Sequence, residues 1–395
     1  MLQRIRQLAA SYRGEFIKIR QHIHAHPELS FQEINTSKFI RDKLTEWNIP
    51  HSVKAVTGVV GIIEGKNPSK KITALRADMD ALPITEMNDV EYRSTNAGVM
   101  HACGHDVHAT WAIGAAMQLL RAPAAGDVLI VLQPAEEIGA GARAILASGV
   151  LDGVSAIFGA HVDRRFVVGE VIAEAGPLAA SADSFTITLH GRGAHGARPH
   201  EAADPIVAAA AVITALQTVV SRSIDPSRPA VCTVGSVHAG IASNVIPEAA
   251  TLTGTLRAMD APTRARLVSE LTRIATDVAI GYGVRAAIDV EHGTPPIVNP
   301  PRESAWAREA AATVLGNAAI VPFGITNMGG EDFAFYMERI PGCFLRLGAR
   351  RPGEEATAAH SPRFDVAEGA IVVGAAVLAE CARVSSRALP ARATV

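Results

Sequence analysis

Residues 128–137 read Val-Leu-Ile-Val-Leu-Gln-Pro-Ala-Glu-Glu: five apolar residues, a break at Gln-Pro, then two adjacent carboxylates. A short continuous apolar run closed by a turn signal is the pattern of a strand buried on both faces, as in a parallel sheet covered by helices. Similar runs lie at 59–63, 72–75 and 156–161, each bounded by Gly, Pro, Asp or Lys. Helical stretches at about 107–121 and 140–148 separate them, the second closed by Gly149. Strands alternating with helices predict an α/β domain with a largely parallel sheet and flanking helices. The carboxyl ends of such strands line one crevice. Asp78 and Asp80 follow the strand at 72–75, Glu136 and Glu137 follow 128–132, and His161 is expected just after a strand ending at residue 160.

Working outward, Leu2, Ile5, Leu8, Phe16, Ile19 and Ile23 recur at helical spacing until His26-Pro27, and a second helix is expected from about 31 to 47. Further along the pattern becomes self-contained. Residues 183–190 (DSFTITLH) alternate as a half-buried strand, and Asp204-Pro205 opens a helix running to about Val220. Strands at 230–238 and 249–258 come next, then a helix at about 262–280 capped by Asp260, and a last strand at 285–290. The order βαββαβ predicts a ferredoxin-like domain. We therefore expect a discontinuous catalytic domain, residues 1–181 and 295–395, interrupted by a smaller inserted domain, residues 182–294.

A chain of 395 residues is too long for one compact core, and its 48% hydrophobic content and mean hydropathy of +0.19 leave ample apolar surface to bury. Net charge is −2 and no block of like charge occurs, so neither a nucleic-acid face nor a polybasic membrane patch is indicated. The first twenty residues carry Arg4, Arg6, Arg13, Glu15, Lys18 and Arg20 and hold no apolar leader core. No stretch of eighteen apolar residues runs without a charge or breaker, which points to a cytoplasmic protein with small-molecule partners. Cys103, Cys232, Cys343 and Cys381 lack the spacing of a disulfide framework. The last three read most simply as core residues, and a reducing compartment leaves Cys103 free as a thiolate.

Residues 100–108, Met-His-Ala-Cys-Gly-His-Asp-Val-His, place a thiol and several imidazoles within nine positions. Cys103 and His105 alternate with small residues and can converge from a loop; thiolate and neutral imidazole suit Zn, Co, Ni or Mn. The pair Glu136-Glu137 supplies one carboxylate to hold metal and one to move a proton. That combination points to a metal-activated hydrolase.

Six segments, residues 75–83 (LRADMDALP), 100–108, 133–137 (QPAEE), 191–200 (GRGAHGARPH), 243–247 (SNVIP) and 329–333 (GGEDF), together resemble the M20 metallopeptidases. More narrowly they resemble the amidohydrolase branch of hippurate hydrolases, N-acyl-amino-acid amidohydrolases and plant auxin-conjugate hydrolases. The resemblance implies two divalent ions per subunit, Mn or Zn first and Co or Ni next, held by Cys103, His105, Glu137, His161 and His360, with Cys103 as the bridge. It implies that Glu136 takes a proton from metal-bound water and passes it to the leaving nitrogen. Other M20 branches have His at the place of Asp78, so Asp78 is not assigned as a ligand, and Asp80 is expected to orient a ligand imidazole. The inserted domain is implied to act as a lid and to form a homodimer, from which His195 reaches the partner's site to support an oxyanion. Asn244 is implied as a contact to the scissile amide, and Arg257 as a fork for the substrate carboxylate, or else a solvated strand-edge residue.

The expected reaction is hydrolysis of an N-acyl amino acid, with a dipeptidase, a carboxypeptidase or a biosynthetic N-acetyl-amino-acid deacetylase as the alternative, and a non-catalytic binding protein as the remote one. Asp106 reads mainly as a first-turn helix residue, and His108 as one that packs or hydrogen-bonds. His22, His24 and His26 lack an adjacent third ligand and read as structural, and Glu331-Asp332 reads as a shaper of the site wall.

Overall fold

The computed structural model describes residues 11–67 and 71–390; Leu2, Ile5 and Leu8 of the expected first helix lie outside them. In chain order the elements are α1 (Arg13–Ala25), α2 (Ile34–Glu46), β1 (His51–Lys54), β2 (Gly58–Ile63), β3 (Ile72–Asp78), α3 (His105–Arg121), β4 (Val128–Gln133), α4 (Gly141–Ala147), β5 (Val154–Val167) and β6 (Val171–Ile172). Next come β7 (Gly176–Ala179), β8 (Ala182–His190), β9 (Ala194–His195), α5 (Pro205–Thr218), β10 (Ala230–Ala239), β11 (Val245–Ile246), β12 (Ala249–Ala258), α6 (Ala261–Gly281), β13 (Arg285–Thr294) and β14 (Ile297–Asn299). The chain continues through α7 (Pro301–Leu315), β15 (Gly342–Arg350) and α8 (Gly369–Ala388).

Contacts divide the chain into two units. The first comprises the chain up to Gly176, Asn299–Gly324 and everything from Phe335; the second comprises Pro177–Val298 and Ile325–Ala334. Residues 177–181, 295–298 and the 329–333 segment thus group with the smaller unit. The reason is pairing: β7 forms a two-stranded ladder with β14, and Ala180 donates its N–H to Gly329 O at 3.1 Å.

The first unit is built on a seven-stranded sheet in the order β1-β2-β4-β3-β5-β15-β6. The four neighbours β4, β3, β5 and β15 are mutually parallel, while β2 and β6 run against them. Every residue of β4 is buried, as its unbroken apolar run requires. Helix α3 keeps its first fifteen residues buried: most are small or apolar, and His105, Asp106 and His108 among them are hydrogen-bonded. Its Gly114 faces Ala375 of α8, and Gly374 of α8 lies under Trp111: a Cβ on Gly374 would come within 2.2 Å of the indole. Strand β5 does not stop at residue 160; it pairs with β15 as far as Arg350↔Val167, so His161 lies within the strand and not after it.

The second unit is a four-stranded antiparallel sheet in the order β10-β12-β8-β13, with α5 and α6 on it. The chain order β8-α5-β10-β12-α6-β13 is the βαββαβ plan. Asp204 Oδ1 accepts from Ile206 N at 2.8 Å and Asp260 Oδ1 from Thr263 N at 2.8 Å, so both helices start at the acidic caps the sequence offers. The core holds Phe185, Ile187, Leu189, Val212, Leu252, Leu256, Leu267 and Leu271.

Two helical stretches, Pro205–Ser223 and Gly369–Ala388, are long and apolar enough to cross a membrane by length and composition. Of the second, 83% of the most apolar eighteen residues are buried within the protein, which makes it a core helix of the first unit.

Candidate metal centre

Asp78 ends β3, Glu136 and Glu137 follow β4 by three and four residues, and Cys103 and Gly104 immediately precede α3, which His105 opens. The tight approach at this entry requires glycine: Gly104 has φ +90°, and a Cβ there would lie 2.5 Å from Val162 Cγ2. His360 enters from the segment between β15 and α8 at φ +66°, fixed by its N–H to Ala102 O at 2.8 Å, next to Cys103. A second positive φ, +54° at Ala135, turns the chain so that Glu136 and Glu137 leave the sheet edge together.

These turns bring together side chains that span 258 positions of sequence, from 103 to 360. Cys103 Sγ lies 3.3 Å from His161 Nε2, and His360 Nε2 lies 3.5 Å from Glu137 Oε2. His105 Nε2 faces Glu137 Oε1 at 3.8 Å and Glu136 Oε2 at 3.9 Å. Among the described residues, four groupings within this unit are compact enough to hold a cation: Cys103/His105/His161, Cys103/Glu137/His360, His105/Glu136/Glu137 and Asp78/His105/His108. Cys103 belongs to two of them.

The donor set fits a pair of divalent ions on two further observations. His105 Nε2 and Glu137 Oε1 are buried and have no hydrogen-bond partner among the described residues, although both point into the cluster. His105 is oriented from behind: its Nδ1 lies 3.0 Å from Asp80 O and 3.2 Å from Asp80 Oδ1, which leaves Nε2 as the donor toward a cation. Asp80 is held in turn by Ser30 Oγ at 2.7 Å and by Glu137 N at 3.1 Å. Burial pushes the Cys103 thiol up to about 12, so only a cation's charge at the sulfur would make it a thiolate at neutral pH. Burial likewise raises the Glu137 carboxyl, against the pull of His105 and His360.

Asp78 and His108 form a closed arrangement beside the donors. Val162 N donates to His108 Nε2 at 2.9 Å, so the proton sits on Nδ1, which donates to Asp78 Oδ1 at 2.7 Å. Arg76 Nη1 donates to the other Asp78 oxygen at 2.6 Å. Asp78 is thereby kept ionised against its burial, by His105, His108 and Arg76.

The second unit carries the other expected residues. His195 is exposed on β9 and pairs with Val245; its Nδ1 accepts from Ala197 N at 3.1 Å. Gly196 N donates to Asn244 O at 2.7 Å, so His195 and Asn244 share one small ladder end. Arg257 lies on β12, an interior strand, and is half-buried, so it is not a solvated edge residue. Glu331 Oε1 accepts from Phe333 N at 3.0 Å, which shapes its own turn. Cys343 and Cys381 are buried core residues, whereas Cys232, on the edge strand β10, is only partly so.

Sequence reasoning reads His24 as structural but misses the other supports beneath the site. Glu33, Arg20, His24 and Glu86 are all at least 97% buried, an unusual state for such side chains. Of the three histidines before Pro27, His22 and His26 are exposed with ring centroids 4.5 Å apart, while His24 points inward. Arg20 and His24, on the buried stripe of α1 with Phe16, Ile19 and Ile23, were the available signal.

An α/β sheet whose carboxyl edge gathers thiol, imidazole and carboxylate donors around a spare carboxylate defines a metal-dependent hydrolase. The chain belongs to the peptidase family M20/M25/M40, whose profile matches residues 74–384. It is 41% identical over 376 residues to an N-acetylcysteine deacetylase of Bacillus subtilis, covering 94% of this chain and 97% of the relative. It is 39% identical over 375 residues to an IAA-amino acid hydrolase of Arabidopsis thaliana, covering 93% and 84%. A crystal structure of a dinuclear metal binding M20 peptidase from Bacillus subtilis superposes with a TM-score of 0.85 at 38% identity, covering 96% of this chain and 99% of that one. The protein is accordingly a hydrolase of amide bonds in small substrates.

Proposed function

We propose that the protein cleaves the amide of N-acyl amino acids, releasing a carboxylic acid and the free amino acid, and that it works as a homodimer through its smaller unit. The observation that carries the reading is the convergence of Cys103, His105, Glu137, His161 and His360 on two unpartnered buried donor atoms, with Glu136 beside them. Cys103, His105 and His161 would hold one ion and Cys103, Glu137 and His360 the other, with the thiolate between two positive charges. Bound divalent ions would supply a water acidified to a pKa of about 7 and a polarised acyl carbonyl. Mn or Zn fits this mixed S, N and O set best, and Co or Ni also fits it.

Glu136 takes the proton of the attacking water and delivers it to the leaving nitrogen, the task left to a carboxylate not needed for charge compensation. Asp80 keeps the His105 ring in one tautomer and one orientation. His195 of one subunit donates to the developing oxyanion in the other, Asn244 contacts the scissile amide, and the Arg257 fork takes the substrate carboxylate. The names of the N-acetylcysteine deacetylase and the IAA-amino acid hydrolase support an N-acylated amino acid as substrate. Four unpaired cysteines agree with a reducing compartment such as the cytoplasm.

A dipeptidase or carboxypeptidase would use the same donors with a different pocket, and a binding protein would not need Glu136. Hippurate, N-acetyl amino acids and simple dipeptides assayed side by side, with Mn, Zn, Co or Ni added, separate these. Turnover of the acylated amino acids above the dipeptides is expected. Preference for dipeptides would sink the substrate assignment, and no turnover by any metal form would sink the enzyme reading.

A further inference from the structure

The two cation groupings draw on elements remote in sequence: His105 opens α3, whereas His360 sits on the segment between β15 and α8. One side chain touches the base of both. Arg20, on α1 and 2% exposed, donates from Nε to Asp106 Oδ2 at 2.7 Å and from Nη2 to Asp365 Oδ1 at 2.9 Å. Asp106 directly follows His105, and Asp365 lies five residues after His360. The guanidinium also stacks over Tyr92, 4.7 Å from the ring centroid, and His24 Nδ1 lies 2.8 Å from the same Asp106 oxygen.

We propose that Arg20 is a positioning residue for the metal centre, holding the His105 and His360 supports at a fixed separation by gripping Asp106 and Asp365 with two edges of one planar fork. The inference rests on the metal-centre reading above. Burying an arginine with its carboxylates is a poor route to stability, since well-packed apolar side chains of similar volume often do as well or better. A rigid two-pronged link between separate ligand segments is what a lysine or an apolar residue cannot provide. The segment around His360 is also tied by His360 N to Ala102 O at 2.8 Å, in the loop ahead of α3, and by Met87 N to Pro362 O at 2.8 Å, Asn88 Nδ2 to Phe364 O at 2.9 Å and Arg164 Nη1 to Asp365 O at 2.8 Å. None of these reaches α3, and Arg20 does.

The test titrates the metal-free full-length chain with Co2+ against a competing chelator, beside the thermal midpoint of the metal-free form. The unaltered chain is expected to take up two equivalents. Asp365→Ala removes one carboxylate from the buried Arg20, so some fall in the midpoint is expected, with one equivalent weakened by about ten- to a hundred-fold, more than that fall accounts for. Arg20→Lys, which keeps the charge and cannot span both acids, is expected to weaken both. The proposal is overturned if both variants bind both equivalents within about threefold of the unaltered chain, or if affinity falls only in step with the midpoint. Should Arg20→Lys fail to fold, Asp365→Ala alone decides. If the unaltered chain takes up no Co2+, the metal-centre reading fails first and this one with it.

Discussion

The Glu33 carboxylate accepts the backbone N–H of Ala135 at 3.0 Å, from 102 residues away in sequence, while Thr57 Oγ1 donates to its other oxygen at 2.6 Å. Ala135 is the left-handed residue that presents Glu136 and Glu137, so Glu33 holds the turn that carries the proposed proton carrier Glu136. Glu33→Ala leaves a buried N–H unsatisfied, at a cost of about 1–3 kcal/mol. The expected result is a lower urea midpoint together with a fall in kcat. Glu33→Gln keeps an acceptor for Ala135 and should recover most of both. Equal loss in the two variants would show that charge rather than the hydrogen bond matters.

Much of this architecture was legible because the central strands are unbroken apolar runs and the helices of the smaller unit begin at Asp204-Pro205 and Asp260. The proposed donors were legible because Cys103 and His105 lie two apart among small residues and the Glu136-Glu137 pair follows strand β4. Strand β15 and helix α8 were not read, although β15 pairs with β5 and α8 packs on α3. Cys343-Phe-Leu-Arg-Leu347 is interrupted by a charge, and only the fold shows that Arg346 lies beside His161 in the ladder. Arg20 and Glu33 were missed for a related reason: a charged residue on a helix reads as solvated until partners 86 to 345 positions away are brought to it.

Gly104 tests the geometry of the thiol entry. With φ +90° and Val162 Cγ2 where a Cβ would stand, Gly104→Ala must displace either Cys103 or the strand β5 that carries His161. The backbone strain alone is of the order of 1–3 kcal/mol. A lower thermal midpoint and weaker Co2+ uptake are expected, measured on the same preparation. Unchanged uptake would mean that the Cys103/His161 pairing tolerates a shift.

Glu136→Gln tests the proton carrier. The amide is the same size, and the proposed donors Cys103, His105, Glu137, His161 and His360 remain. Bound metal, measured by elemental analysis, should be unchanged, whereas kcat should fall by about 10²–10⁴. Removing metal with a chelator should abolish turnover in the unaltered chain and allow recovery on adding Mn or Zn. Activity surviving in Glu136→Gln would move the proton to another group.

The buried pair His24 and Glu86, 3.0 Å apart, predicts a pH window for stability. Burial raises the Glu86 carboxyl, but hydrogen bonds from His24 and the Ser94 N–H outweigh it and hold the group below its usual 4.5. That contribution is present above 4.5 and is lost as pH falls through the lower folded value. Burial opposes charge on His24, yet Asp106 and the hydrogen bonds to Asp106 and Glu86 raise it above 6.5. Its contribution is full below 6.5 and is lost as pH rises through the folded value. Urea midpoints from about pH 3 to about pH 9 should therefore fall off on both sides of that window. Glu86→Gln should flatten the acid limb, and an unaltered limb would remove Glu86 from the account.

The proposed exchange of His195 between subunits has a quantitative consequence. His195→Ala and Glu136→Gln should each be nearly inactive alone, one for want of an oxyanion donor and the other for want of a proton carrier. In a mixed dimer one site receives both lesions, and the other receives an intact Glu136 from its own chain and an intact His195 from the partner. Equal mixing after reversible dissociation makes half the dimers mixed, so about a quarter of the unaltered activity should return. A subunit that used its own His195 would leave both sites defective in every dimer, and activity would stay at the sum of the parents. His195 is exposed on a short ladder, and among the described residues its ring is bonded through Ala197 N to Nδ1 with Nε2 left to donate, an arrangement that suits such a reach.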